Sequence, residues 1–233
     1  MREREIPPFP PFPGTVVEAR LLQERLRGSV RVEPLDPSRL RRVAAADVTF
    51  LDEKETVAAA VVVVGYPSGD IIEERTAVVR TGFPYVPGYL SFREGPAILA
   101  AWVRLRHPPD AVLLDGQGVA HPRRFGIASH VGVLLDVPSV GCAKSRLVGE
   151  HDEPGPEKGE WAPLRHEGEV VGAALRTRRG VKPVYVSVGH RADLLSSIAL
   201  VLSLCPRYRI PDPARRAHQL TQELRAGKIP LSR

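Results

Sequence analysis

A chain of 233 residues, 43% hydrophobic and 26% charged, has the make-up of one sizeable globular domain, which excludes a disordered or fibrous class. No apolar run reaches the roughly 20 residues that span a bilayer. The two cysteines, Cys142 and Cys205, make no disulfide framework, so a soluble protein of the reducing cytoplasm is expected; the net charge of +6 favours a polyanionic partner.

In chain order, MREREIPPFPPFPG (1–14) reads as a proline-rich arm and TVVEARLLQERLRGSV as a first helix with apolar residues at helical spacing. RRVAAADVTF reads as a strand carrying Asp47. The stretch TVAAAVVVVGYPSGDIIEERTAVVR supplies two more strands joined by a Pro-Ser-Gly-Asp turn, so an antiparallel meander is predicted. FPYVPGYL is a rigid loop, because proline fixes φ while glycine frees it. SFREGPAILAAWVRLR follows as a helix, with Ser91 as N-cap and Glu94 in the first turn. AVLLDG is a short, wholly apolar strand of the kind buried on both faces in a parallel arrangement. IASHVGVLLD then reads as a helix, PSVGCAKS as another buried strand and GEHDEPGPEKGEW as a flexible insertion. EVVGAALRT and PVYVSVG are further strands, ADLLSSIALVLSLC an apolar helix and DPARRAHQLTQELRAG a basic amphipathic one. This order predicts a single α/β domain over residues 1–233: a mixed sheet, antiparallel meander followed by parallel strands, flanked by helices on both faces.

The chemistry concentrates in a few acids. Asp47 sits inside one apolar strand and Asp115 ends another; either alone reads equally as a cap or turn former. Together they say more, because a buried carboxylate is costly unless paired or bound to a cation. If the first strand neighbours the first parallel strand, the two acids face one ion. Glu94 is a third candidate, though an acid there also complements the helix dipole. Such a set suits Mg²⁺, which prefers oxygen ligands and phosphates, and points to metal-assisted phosphodiester cleavage. Lys144, just beyond a buried strand, needs an anionic neighbour. Arg123 and Arg124 in HPRR lie on the substrate side, as phosphate contacts or as a solvated basic loop. His121, His130, His190 and His218 are candidates for proton transfer. Of these, His218 sits in a basic helix that could aim it at a scissile phosphate.

Several segments then resemble one known family. FPYVPGYLSFREGP, LLDGQGVAHPRRFGIASHVGV, VGCAKSRL, VSVGH, YRIPDP and the final AH helix resemble, in order, the signature segments of endonuclease V, the deoxyinosine-specific repair nuclease. The resemblance implies a ribonuclease H-like fold and hydrolysis of the second phosphodiester bond 3′ to a deaminated base in DNA, with Mg²⁺ or its substitute Mn²⁺. It also implies no organic cofactor and no membrane partner. Carried over by residue, Asp47 and Asp115 are direct metal ligands and Glu94 a third acid acting through water. Lys144 and His218 take the remaining catalytic positions. Tyr85 is the wedge that fills the gap left by an extruded base, and Gly88, Leu90, Gly116 and Ile127 form the base pocket. His121, Arg123 and Arg124 are candidate phosphate contacts. Val188 stands where relatives carry proline, and Tyr89 stands where smaller residues are common, on the expected pocket rim. Alternatives are an inosine-specific ribonuclease of the same family and a non-catalytic nucleic-acid binding protein.

Overall fold

The valine- and alanine-rich runs pair into one eight-stranded sheet, in the order β3-β2-β1-β4-β5-β8-β7-β6. The computed structural model describes residues 12–51 and 56–230, so most of the expected arm (1–11) lies outside the described residues. β1 (Arg42–Phe50), β2 (Thr56–Gly65) and β3 (Ile71–Arg80) form the expected antiparallel meander. β4 (Ala111–Leu114) runs parallel to β1, and β5 (Ser139–Ala143) parallel to β4. β6 (Trp161–His166), β7 (Glu169–Leu175) and β8 (Val184–His190) continue the sheet as a second antiparallel meander. The sequence pattern passes over β6 because Pro163 interrupts it; β6 is an edge strand, where proline is tolerated.

Both faces are covered. α2 (Leu90–Trp102) and α3 (Ile127–Leu135) pack on one face, and α4 (Leu194–Ser203) and α5 (Asp212–Arg225) on the other. Alternation along β1 serves both layers: Ala44 and Ala46 join the α2/α3 core, Val43 and Ala45 the α4/α5 core. β4 divides the same way, Val112 and Leu114 against Leu113, which is why its four residues are all apolar and all buried. α1 (Val16–Leu26) starts at a capping box between Thr15 and Glu18. Phe12 packs edge-on against Phe92 of α2.

Two local expectations need correction. α2 begins at Leu90, directly after Gly88 turns the chain with φ +81°, so Ser91 is not the cap. It is buried, with its hydroxyl 3.0 Å from His130 Nδ1, and Glu94 falls in the second turn, beyond the reach of the dipole reading. The insertion at 149–161 is tied down by Arg176, which donates to Glu153 and to the carbonyls of Pro154 and Gly155 at 2.6–3.0 Å. Glu150 and Arg165 also exchange backbone hydrogen bonds. Among the described residues no helix is long and apolar enough to cross a membrane.

Candidate active site

The β1–β4 register brings the acids together. Ala46 pairs with Leu114, so Asp47 and Asp115 follow one residue further along neighbouring strands. Asp47 is buried, whereas Asp115 is half-buried where β4 ends and the chain turns back, Gly116 N donating to Leu114 O at 2.9 Å. Glu94 reaches over from α2, and all three carboxylates line one cavity of ≈ 170 Å³. Burial first, then the charges of Asp47 and Asp115, push the Glu94 pKa up to about 8. Among the described residues no group of three or more His, Cys, Asp or Glu side chains is arranged, as it stands, to hold a metal ion. Carboxylates that share a cavity repel one another until a cation or a proton comes between them.

Two bases complete the constellation. Lys144, just past β5, places Nζ 2.5 Å from Asp115 Oδ2. Burial alone would lower its pKa, but the hydrogen bond to Asp115 and that residue's charge outweigh it and raise the value. His218, half-exposed on α5, places Nδ1 3.2 Å from Asp47 Oδ2. All five expected catalytic residues therefore meet at one end of the β1–β4–β5 parallel unit. Thr221, which sequence reasoning missed, donates to the same Asp47 Oδ2 at 2.6 Å. Its signal was present: it lies three residues after His218, on the same helix face.

A second cavity, ≈ 360 Å³, opens beside the first. Tyr85 stands at its rim, 67% exposed, and Gly88, Leu90, Gly116, Ile127 and His121 line it. Leu90, Asp115 and Ile127 line both cavities, so the two share a wall. Close approach explains the glycine at 116: a Cβ there would meet Ile127 Cγ2 at 2.5 Å. The Gly88 carbonyl is fully engaged, accepting from Gln23 Nε2 (3.1 Å), His121 Nε2 (2.9 Å) and Arg123 Nη2 (2.7 Å). Gln117 also lines this cavity; its Nε2 donates to Ser145 O at 3.0 Å, while its buried Oε1 has no partner among the described residues.

The structure redirects the residues expected at the phosphates. Arg123 donates to Gly88 O and to Gln23 Oε1 (2.5 Å) and stacks 4.1 Å over the Tyr89 ring. Arg124 pairs with Glu167 and Glu169 at 3.1–3.2 Å. Both guanidiniums thus brace the loop. Tyr89 is buried beneath Arg123, not on the rim. His121 Nδ1 accepts from Arg123 N (3.1 Å), so Nε2 carries the hydrogen given to Gly88. Burial and then the Arg123 charge push its pKa down to about 4, so it is neutral and not a charged phosphate contact. Of the remaining histidines, His130 is buried among Phe12, Phe92 and Phe125, with its pKa down to about 4. His190 faces Asp136 at 3.2 Å with its pKa lowered by burial. Neither lines the two cavities.

The chain is similar in sequence and fold to known proteins. Residues 24–219 match the family model described as Endonuclease V. The endonuclease V of Roseiflexus castenholzii is 50% identical over 221 residues, covering 94% of this chain and 96% of that protein. The crystal structure of endonuclease V from Streptomyces avermitilis superposes with a TM-score of 0.89 at 48% identity, covering 94% of this chain and 96% of the other. Ciona intestinalis endonuclease V, solved with a 23-residue DNA containing an inosine followed by a ribo-adenosine, superposes at 0.82 with 27% identity, covering 92% and 98%. This chain belongs to the endonuclease V family, and it is a nuclease on a ribonuclease H-like fold.

Proposed function

We propose that the protein is a DNA repair endonuclease. It takes a deaminated base, chiefly deoxyinosine, into the larger cavity and hydrolyses the second phosphodiester bond on the 3′ side, using Mg²⁺ with Mn²⁺ as a substitute. The observation that carries this reading is the shared wall: Leu90, Asp115 and Ile127 belong at once to a base-sized cavity and to the cavity of acids. Two adjacent compartments suit an enzyme that holds one nucleotide and cuts at a neighbouring linkage. The inosine-containing DNA bound by the Ciona relative supports the choice of base.

Nucleases of this family generally need a divalent metal. The donor set fits one: three carboxylate side chains in one small cavity, with Glu94 held protonated to about pH 8 by burial and then by its neighbours' charge. Asp47 and Asp115 would hold the ion directly, and Glu94 through water. When bound, it activates the attacking water and offsets charge on the leaving oxygen. Lys144, donating to Asp115 Oδ2, orients that carboxylate and places an ammonium beside the scissile phosphate. His218, with Nδ1 turned to Asp47, keeps Nε2 free to move a proton at the reacting oxygens. Tyr85, braced by Pro84 and Pro87, replaces part of the stack lost when a base is extruded, which costs a few kcal/mol.

A second substrate is favoured by one observation. The Ciona relative was crystallised on a strand whose inosine precedes a ribonucleotide, which motivates a reading as an inosine-specific ribonuclease. Both are tested together. Matched DNA and RNA oligonucleotides carrying one inosine are incubated with and without Mg²⁺, and the cut is mapped. Metal-dependent DNA cleavage one nucleotide beyond the lesion's own 3′ linkage is expected. Cutting that ignores inosine, or persists in chelator, defeats the proposal, and RNA-only cleavage favours the second reading.

A further inference from the structure

Thr221 is fully buried on α5, and its hydroxyl faces two acceptors: Asp47 Oδ2 at 2.6 Å and the carbonyl of His218 at 2.9 Å. A hydroxyl has one proton to give. The carbonyl already serves the helix ladder, whereas the Asp47 oxygen stands at the shorter separation, that of a strong O–H···O bond. The proton therefore goes to Asp47. His218 Nδ1 approaches that same Oδ2 at 3.2 Å, so two donors of α5 converge on one oxygen. Asp47 Oδ1 has no hydrogen-bond partner among the described residues.

We propose that Thr221 is a positioning residue for the reaction. Its hydroxyl pins Oδ2 of Asp47 to α5 and so fixes Oδ1 as the oxygen offered to the divalent cation. The inference rests on the reading of the three acids as a metal site. The physical reason is selectivity of placement. Mg²⁺ demands near-ideal octahedral ligand positions, and a carboxylate free to rotate about its last bond meets that demand only part of the time. Without the hydroxyl, Asp47 is restrained by a 3.2 Å contact from a ring that is 50% exposed. Partners that orient a ligand without touching the ion commonly matter to affinity 10- to 100-fold or so.

The test uses the full chain without substrate and reads Mn²⁺ affinity by titration calorimetry. Thr221→Val keeps the shape and loses the hydroxyl, Thr221→Ala loses both, and Thr221→Ser keeps the hydroxyl. Val and Ala variants should bind Mn²⁺ about 10- to 100-fold more weakly, with Ser close to wild type. In cleavage assays the metal concentration for half-maximal rate should rise in Val and Ala, with the rate at saturating metal changing less. A folded Val or Ala variant with wild-type affinity overturns the assignment, as does a Ser variant as weak as Val. Wild-type protein that binds no Mn²⁺ overturns instead the metal reading on which it rests.

Discussion

The two cavities share a wall yet are built by opposite means. The acid cavity is electrostatic: its carboxylates come from within β1, from the end of β4 and from α2, and each Asp has one oxygen held by a named donor. In the base cavity the fit is steric where glycine, Leu90, Ile127 and a neutral histidine line it, while Asp115, Lys144 and Arg146 bring charge to the same lining; the Gly88 carbonyl in its wall is saturated by three donors. On the proposed function, the acids stand where bonds are to break, and the close fit stands where a base is to be told from its relatives. The contrast predicts that damage to the first removes turnover at any substrate concentration. Damage to the second changes which substrate is used.

The largest break is expected at the acids. Asp47→Ala or Asp115→Ala should lower cleavage on the order of 10³-fold or more, the scale of losing a preorganised charge at a reacting group. Binding of an inosine duplex should persist, measured by titration in Ca²⁺. Near-normal cutting in millimolar Mg²⁺ by either variant would sink the assignment. Next comes the steric wall. Gly116→Ala drives a Cβ to 2.5 Å from Ile127 Cγ2, so kcat/KM on deoxyinosine should fall about 10- to 200-fold, the worth of one methylene in a close-fitting site. Ile127→Ala in the same chain should restore part of the loss; no rescue would place the effect elsewhere.

Tyr85 sharpens the comparison because it belongs to neither charge nor wall. Tyr85→Ala should cost roughly 5- to 150-fold in affinity for a lesion duplex, from about 1–3 kcal/mol of stacking, and little for an undamaged one. Equal losses on both duplexes would make it a general contact. The last effect is on stability and not on turnover. Glu94 has its pKa raised from 4.5 to about 8, so between those values the folded, metal-free state holds a proton the unfolded state has lost. Its contribution is therefore fully present below pH 4.5 and is lost as pH rises toward 8. Melting of the metal-free protein should fall over that window, by about 2–4 °C for each kcal/mol. The fall should be shallower in Glu94→Gln. A parallel pH profile in the variant would deny Glu94 its raised pKa.

Much of this was legible in the residues. Apolar runs joined by a Pro-Ser-Gly-Asp turn announced the meander, and the all-apolar AVLL before Asp115 announced a strand covered on both faces; burial patterns leave such marks locally. The acid inside β1, the acid that ends β4, the Pro-Tyr-Val-Pro loop and Gly116 could be read because each is a residue type that its position makes unusual. Partners could not be read in the same way. Arg123 and Arg124 look like free phosphate contacts until the fold brings up Gln23, 100 residues before Arg123, and Glu169, 45 residues after Arg124. The insertion at 149–161 looks flexible until Arg176 reaches its carbonyls. Thr221 looks like any buried helix residue until Asp47, 174 positions earlier, arrives beside it. Sequence alone thus determined most of the elements, their order and the chemical types gathered at one end of the sheet, because periodicity and residue chemistry are properties of neighbours along the chain. Tertiary structure alone decided which donor meets which acceptor, because a hydrogen bond is fixed by ångström distances between groups that the chain keeps far apart.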